Sequence, residues 1–217
     1  MTRKKLVCAA LASIASLSSP ARAATVFDAV GDFLPTFVGV QSPDLDVTSF
    51  SVSFNSATST FILGASFAGN IDPSAAGFYV IGANTGTGPI APFAALGQGN
   101  VTFNQAIVIR KDGTGNIGAT ALAPSSITLS GNTLSALIPL ALLPSTGFAA
   151  EQYGFNIWPR NGNGLASQIS DFSPENATLA AAVPEPRSWL LMLSGFAVVA
   201  AALRHRGRRI ERRIATT

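Results

Sequence analysis

Between Ser49 and Phe67 the sequence alternates between apolar and polar or small residues with a period of two, pauses, and alternates again. Phe50, Val52 and Phe54 interleave with Ser49, Ser51 and Ser53, and Phe61, Leu63, Ala65 and Phe67 interleave with Thr60, Ile62, Gly64 and Ser66. Successive side chains of an extended chain point to opposite faces, so each run reads as a strand with one face buried. The polar pause from Asn55 to Ser59 reads as the turn of a hairpin.

The same grammar continues along the chain. Phe78 to Ile81 reads as a short apolar strand. Val101 to Arg110 reads as another, ending in Lys111-Asp112-Gly113, where an Asp-Gly pair favours a tight hairpin because glycine accepts positive φ. Ile127-Thr128-Leu129 and Thr133 to Ile138 flank the turn Ser130-Gly131-Asn132, and Tyr153 to Trp158 reads as a late strand. Only Leu140 to Leu143, between Pro139 and Pro144, reads as helical, and it is a single turn. Many short strands with Gly- and Asn-rich turns predict an all-β fold, a β-sandwich or jelly roll built from residues 24–182. That body has enough residues to bury a full core. The Gly- and Pro-rich connection from Asn84 to Gly99 is expected to cross an end of the sandwich as a surface loop.

The two ends of the chain have a different character. Arg3-Lys4-Lys5, the apolar run Leu6 to Leu17 and the A-x-A site Ala21-Arg22-Ala23 form the order of a secretory signal peptide, so residues 1–23 are expected to be removed by signal peptidase after passage through the Sec translocon. At the other end, residues 183–217 open with Val183-Pro184-Glu185-Pro186, whose prolines block helix. Ser188 to Leu203 is an uncharged, mostly apolar run, read as a transmembrane helix of about 24 Å against a hydrocarbon core of about 30 Å. Trp189 at its outer end and the arginines at its inner end suit the two interfaces. Arg204, Arg206, Arg208, Arg209, Arg212 and Arg213 then resist translocation, which places the tail in the cytoplasm and the body outside.

These C-terminal residues carry a resemblance. Val183-Pro184-Glu185-Pro186, then Trp189-Leu190-Leu191, Gly195, an alanine- and valine-rich span and an arginine cluster resemble the PEP-CTERM sorting signal. The resemblance implies export, transient anchoring in the inner membrane, processing near Pro-Glu-Pro by exosortase, a membrane-embedded cysteine transpeptidase, and release or transfer to the cell surface. It also implies an association with extracellular polysaccharide and biofilm. Arg187 departs from the pattern, standing where a small residue is usual. The body more softly resembles family-nine carbohydrate-binding modules and DOMON-like sandwiches, through Asp28 to Phe33, Asp44-Leu45-Asp46-Val47, Ile138-Pro139-Leu140 and Asn156 to Arg160. Haem-binding members use methionine or histidine, and Met1, Met192 and His205 all lie outside the body, so haem is disfavoured.

Charge and composition then narrow the chemistry. The overall +3 is misleading, because residues 24–182 hold three basic residues (Arg110, Lys111 and Arg160) against nine acidic ones, a net charge of −6. Such a body lacks the basic patch that nucleic acid requires. It holds no histidine and no cysteine, Cys8 being inside the signal peptide, which excludes Ser-His-Asp or Cys-His catalysis within one chain and His- or Cys-built zinc sites. A non-catalytic surface or matrix protein is therefore expected. The alternative is a carboxylate-dependent hydrolase of extracellular polysaccharide, with two acids converging in a cleft.

Two constellations remain. Asp28, Asp32, Asp44 and Asp46 offer hard oxygens that suit a structural Ca²⁺, with Asp44 and Asp46 on one side of an extended chain. The plainer view has these aspartates capping turns on a soluble surface, and the lack of an EF-hand or nonapeptide spacing favours it. Tyr79, Tyr153 and Trp158 offer a platform for sugar stacking, with Asn161 and Asn163 as hydrogen-bonding neighbours, or else they pack in the core.

Overall fold

The computed structural model describes residues 23–181 together with Gly195 and Phe196. Residues 1–22 of the expected signal peptide, the Pro-Glu-Pro motif, all but two residues of the expected transmembrane run and the basic tail lie outside the described residues. No helix among the described residues is long and apolar enough to cross a membrane.

The body is all-β. In chain order the strands are β1 (Ala24–Phe27), β2 (Val47–Asn55), β3 (Thr60–Phe67), β4 (Phe78–Asn84), β5 (Gln105–Arg110), β6 (Gly115–Ile117), β7 (Thr120–Ala121), β8 (Ile127–Ser130), β9 (Thr133–Pro139), β10 (Gly154–Arg160) and β11 (Leu179–Ala180). They form two antiparallel sheets, one in the order β1-β2-β3-β9-β8 and the other in the order β11-β10-β4-β5-β6-β7. The expected hairpin is β2–β3: Phe54 faces Phe61, Val52 faces Leu63, and Asn55 Oδ1 accepts the Ala57 and Thr58 N–H groups in the turn. Its apolar set (Phe50, Val52, Phe54, Phe61, Leu63, Ala65 and Phe67) is buried. The expected helical turn is a 3₁₀ turn at Leu140–Leu142, but it is not alone, since short 3₁₀ turns also form at Pro43–Leu45, Ala94–Leu96, Pro124–Ser126, Ala150–Gln152 and Ala166–Gln168.

The sheets pack face to face. Phe61 stacks on Tyr153 with centroids 5.3 Å apart, and Phe67 on Tyr79 at 4.4 Å, each pair joining the two sheets. Edge strand β1 lies against edge strand β11, so the chain enters and leaves the sandwich along one edge.

The six-stranded sheet is covered on its outer face as well. Tyr79, Ile81 and Ala83 of β4 point into the inter-sheet core, while Val80 and, from β10, Trp158 point outward. There they meet Leu34, Phe93, Val101, Ile169 and Phe172, contributed by irregular segments. Strands buried on both faces favour apolar residues on both, which explains the run Phe78–Ala83 of β4, while β10 holds one buried polar residue, Asn156, whose side-chain N–H groups donate to Pro174 O and Ala177 O. The connection after Asn84 therefore does not merely cross an end of the sandwich: Phe93 folds onto this outer face, within 5.1 Å of the Trp158 ring. For the same reason the strand expected from Val101 begins only at Gln105, because Val101 and Phe103 belong to the covering layer and Phe103 bridges to Ile90.

Candidate metal centre

After Phe27 the chain leaves the five-stranded sheet and runs as a strap, residues 28–42, before turning into β2. The Asp28 N–H still donates to Thr48 O at 3.0 Å. Gly31 then adopts φ +83° with open space where a Cβ would stand, so backbone conformation and not crowding calls for glycine here. Its N–H donates to Asp46 Oδ2 at 2.7 Å, which brings Asp32 to the same place. Further on, the Leu34 N–H donates to Ser170 O at 2.8 Å and the Val38 N–H to Ser167 O at 2.7 Å, laying the strap along residues 167–170.

The side chains of Asp32, Asp46 and Asp171 converge, each with a carboxylate oxygen within 4.8 Å of the other two. Asp46 is 2% exposed and Asp171 1%, while Asp28 and Asp32 are partly buried. Asp171 is pinned from both sides, accepting the Val47 N–H at 2.8 Å and the Phe172 N–H at 2.6 Å. Asp28 Oδ2, Asp32 Oδ1 and Asp46 Oδ1 are shielded from solvent and have no hydrogen-bond donor.

The electrostatics reflect this crowding. Burial pushes the Asp171 carboxyl up to about 8, with the charges of Asp28 and Asp32 adding to it against the two N–H donors. Burial likewise raises Asp28, helped by Asp32 and Glu175 and opposed by Ser173 and the Ala29 N–H. Asp46 is raised by burial and by Asp32, against the Gly31 N–H. Among the described residues none of the four forms an ion pair. Two of the body's three cations are committed elsewhere: Arg160 donates to the carbonyls of Gly162 and Leu165, and Lys111 pairs with Asp44.

Asp44 is therefore not part of this group. Pro43–Leu45 form a 3₁₀ turn, and at three residues per turn Asp44 and Asp46 are thrown to different sides, where the sequence had suggested an extended chain with both on one side. Asp44 meets Lys111 Nζ at 2.6 Å and accepts the Asp72 N–H at 3.0 Å. Asp171 takes its place in the cluster. Its sequence signal was slight, an acid set between Ile169 and Phe172, and its bond to Val47 spans 124 residues.

The aromatic platform does not form. Tyr79 and Tyr153 are fully buried in the inter-sheet core, and the Tyr153 hydroxyl donates to Leu143 O at 3.1 Å. Trp158 lies on the opposite face of the same sheet, 2% exposed beneath the covering layer. Alternation along paired strands β4 and β10 separates Tyr79 from Trp158, so no single surface can present both. Of the two asparagines beside them, Asn161 donates to Val38 O at 3.2 Å, and Asn163 lines a shallow depression of about 260 Å³ with Phe78, Arg110, Lys111 and Asp112.

Chemically, the acidic group is an oxygen-only donor set with surplus negative charge. Oxygens on opposite sides of one Ca²⁺ lie about 5 Å apart, since each sits 2.3–2.6 Å from the ion, and the 4.8 Å grouping fits that span. No protein-family model, curated protein or solved structure matches the chain.

Proposed function

We propose that the chain is an exported, exosortase-sorted protein whose β-sandwich body serves as a non-catalytic module of the cell surface or extracellular matrix. One observation carries most of this reading. The strands of the all-β body, from β1 (Ala24–Phe27) to β11 (Leu179–Ala180) among the described residues, lie between the signal-peptide pattern of residues 1–23 and the sorting-signal pattern of residues 183–217 in the sequence. Because β1 and β11 are neighbours, both connections leave from one edge, as suits a body tethered through its C-terminus and freed by one cut.

The non-catalytic half of the proposal rests on the acids. A polysaccharide hydrolase needs two carboxylates on the wall of a cleft that admits a sugar ring. Here Asp46 and Asp171 are almost wholly buried beside the strap, a poor place for a substrate. Polysaccharide association rests on the sorting-signal resemblance alone, since Tyr79, Tyr153 and Trp158 are core residues.

Reporter fusions in the producing bacterium test the proposal. Alkaline phosphatase fused after Ala182 should be active, and the same enzyme fused after Thr217 should be inactive. Activity of the Thr217 fusion would overturn the insertion polarity on which sorting depends.

A further inference from the structure

The uncompensated carboxylates point to a site of their own, independent of how the chain is exported. We propose that Asp32, Asp46 and Asp171, with Asp28 nearby, bind one Ca²⁺ ion that latches the 28–42 strap onto the sandwich.

The four residues come from three separate stretches of chain: the start of the strap, the lead into β2, and the segment between β10 and β11. Left alone, they place like charges side by side in a partly desolvated environment, an arrangement that opposes closure of the strap. Acidic clustering by itself would not make a site. The decisive feature is Asp46, 2% exposed, with Oδ2 held by the Gly31 N–H and Oδ1 without any donor. A buried carboxylate oxygen without a partner is costly unless a cation satisfies it. Asp32 Oδ1 is likewise shielded and without a donor, on a partly buried side chain.

The donors choose the metal. With oxygens only, the site offers nothing to a thiolate- or imidazole-seeking ion. Mg²⁺ keeps several waters and demands near-octahedral geometry, whereas Ca²⁺ accepts several carboxylates in irregular arrangements. The Gly31 turn, which presents its N–H to Asp46, already holds Asp32 where such an ion would bridge it to Asp46 and Asp171.

The strap carries more than ligands. Leu34 packs into the outer layer with Val80, Phe93, Trp158 and Phe172, and Phe37 packs against the same layer. A cation at the near end of the strap therefore fixes the lid over Trp158. Loss of the ion releases the Asp28–Asp32 end and loosens the cover of the six-stranded sheet.

The test uses the full chain, solubilised in mild detergent, stripped with chelator and dialysed. Ca²⁺ is titrated by calorimetry to about 10 mM, beyond the 10⁻⁴–10⁻³ M dissociation constants of extracellular calcium modules. One ion per chain should bind, and hydrogen exchange of amides 29–42 should slow on binding. Asp32→Asn removes a charge from a partly exposed side chain that has no hydrogen bond to lose, so it should fold normally and bind Ca²⁺ about tenfold more weakly or worse. Asp112→Asn, in the exposed turn after β5, should leave Ca²⁺ affinity unchanged. No binding by a folded wild-type chain, wild-type affinity in Asp32→Asn, or equal affinity for Mg²⁺ would each overturn the proposal.

Discussion

Asp44 and Asp46 are two residues apart in sequence and have opposite electrostatic fates. Burial pushes Asp44 up, but the hydrogen bonds from Lys111, Ser42 and the Asp72 N–H, together with the Lys111 charge, outweigh it and hold its carboxyl below the ordinary 3.8. The pair is sealed, with side-chain exposures of 3% for Lys111 and 1% for Asp44. Lys111→Met should therefore cost about 3–5 kcal/mol in urea unfolding, because it strands a buried carboxylate. Adding Asp44→Asn should recover much of that loss. The sign of the pH effect follows from linkage. A carboxyl with a depressed folded-state value contributes stability above its unfolded value and loses it as pH falls through the folded one. The unfolded chain is common to both proteins, so the stability gap between wild type and Lys111→Met should shrink as pH falls from the Asp44 value of the variant, raised by burial without its partner, to the depressed wild-type value. Taking the difference cancels the other carboxylates. A gap that widened on acidification would contradict the assigned direction.

At the scale of elements, the hairpin β2–β3 was legible because alternation, a polar pause and the inward aromatic set all agree. The apolar run of β4 and the largely apolar β10 identified strands but not what covers their outer face. That cover comes from the strap, the connection after Asn84 and residues 165–173, and contacts over such separations leave no local periodicity. The acidic cluster was half legible for the same reason. Asp28, Asp32 and Asp46 stand close in sequence, Pro43 and its 3₁₀ turn removed Asp44, and Asp171 arrives from the far end of the body. The packing of β4 against β10 gives a prediction of its own. A Cβ added at Gly82 would stand 2.7 Å from the Trp158 ring, so Gly82 makes room for the indole to lie across the sheet. Gly82→Ala should lower stability by about 1–3 kcal/mol, read from the urea midpoint. A neutral result would mean that Trp158 can shift without loosening the outer layer.

At the scale of the whole molecule, the chain divides by charge. The body between residues 24 and 182 carries a net −6, and most of the arginines and lysines lie beyond it. That division suits a body that crosses a membrane and a tail that does not. Among the described residues the first and last strands, β1 and β11, lie side by side. The most direct measurement is the intact mass of the protein recovered from membranes and culture fluid of the producing bacterium. The account predicts a culture-fluid form that starts at Ala24 and ends near Pro184-Glu185-Pro186. A single cytosolic species running from Met1 to Thr217 would contradict it.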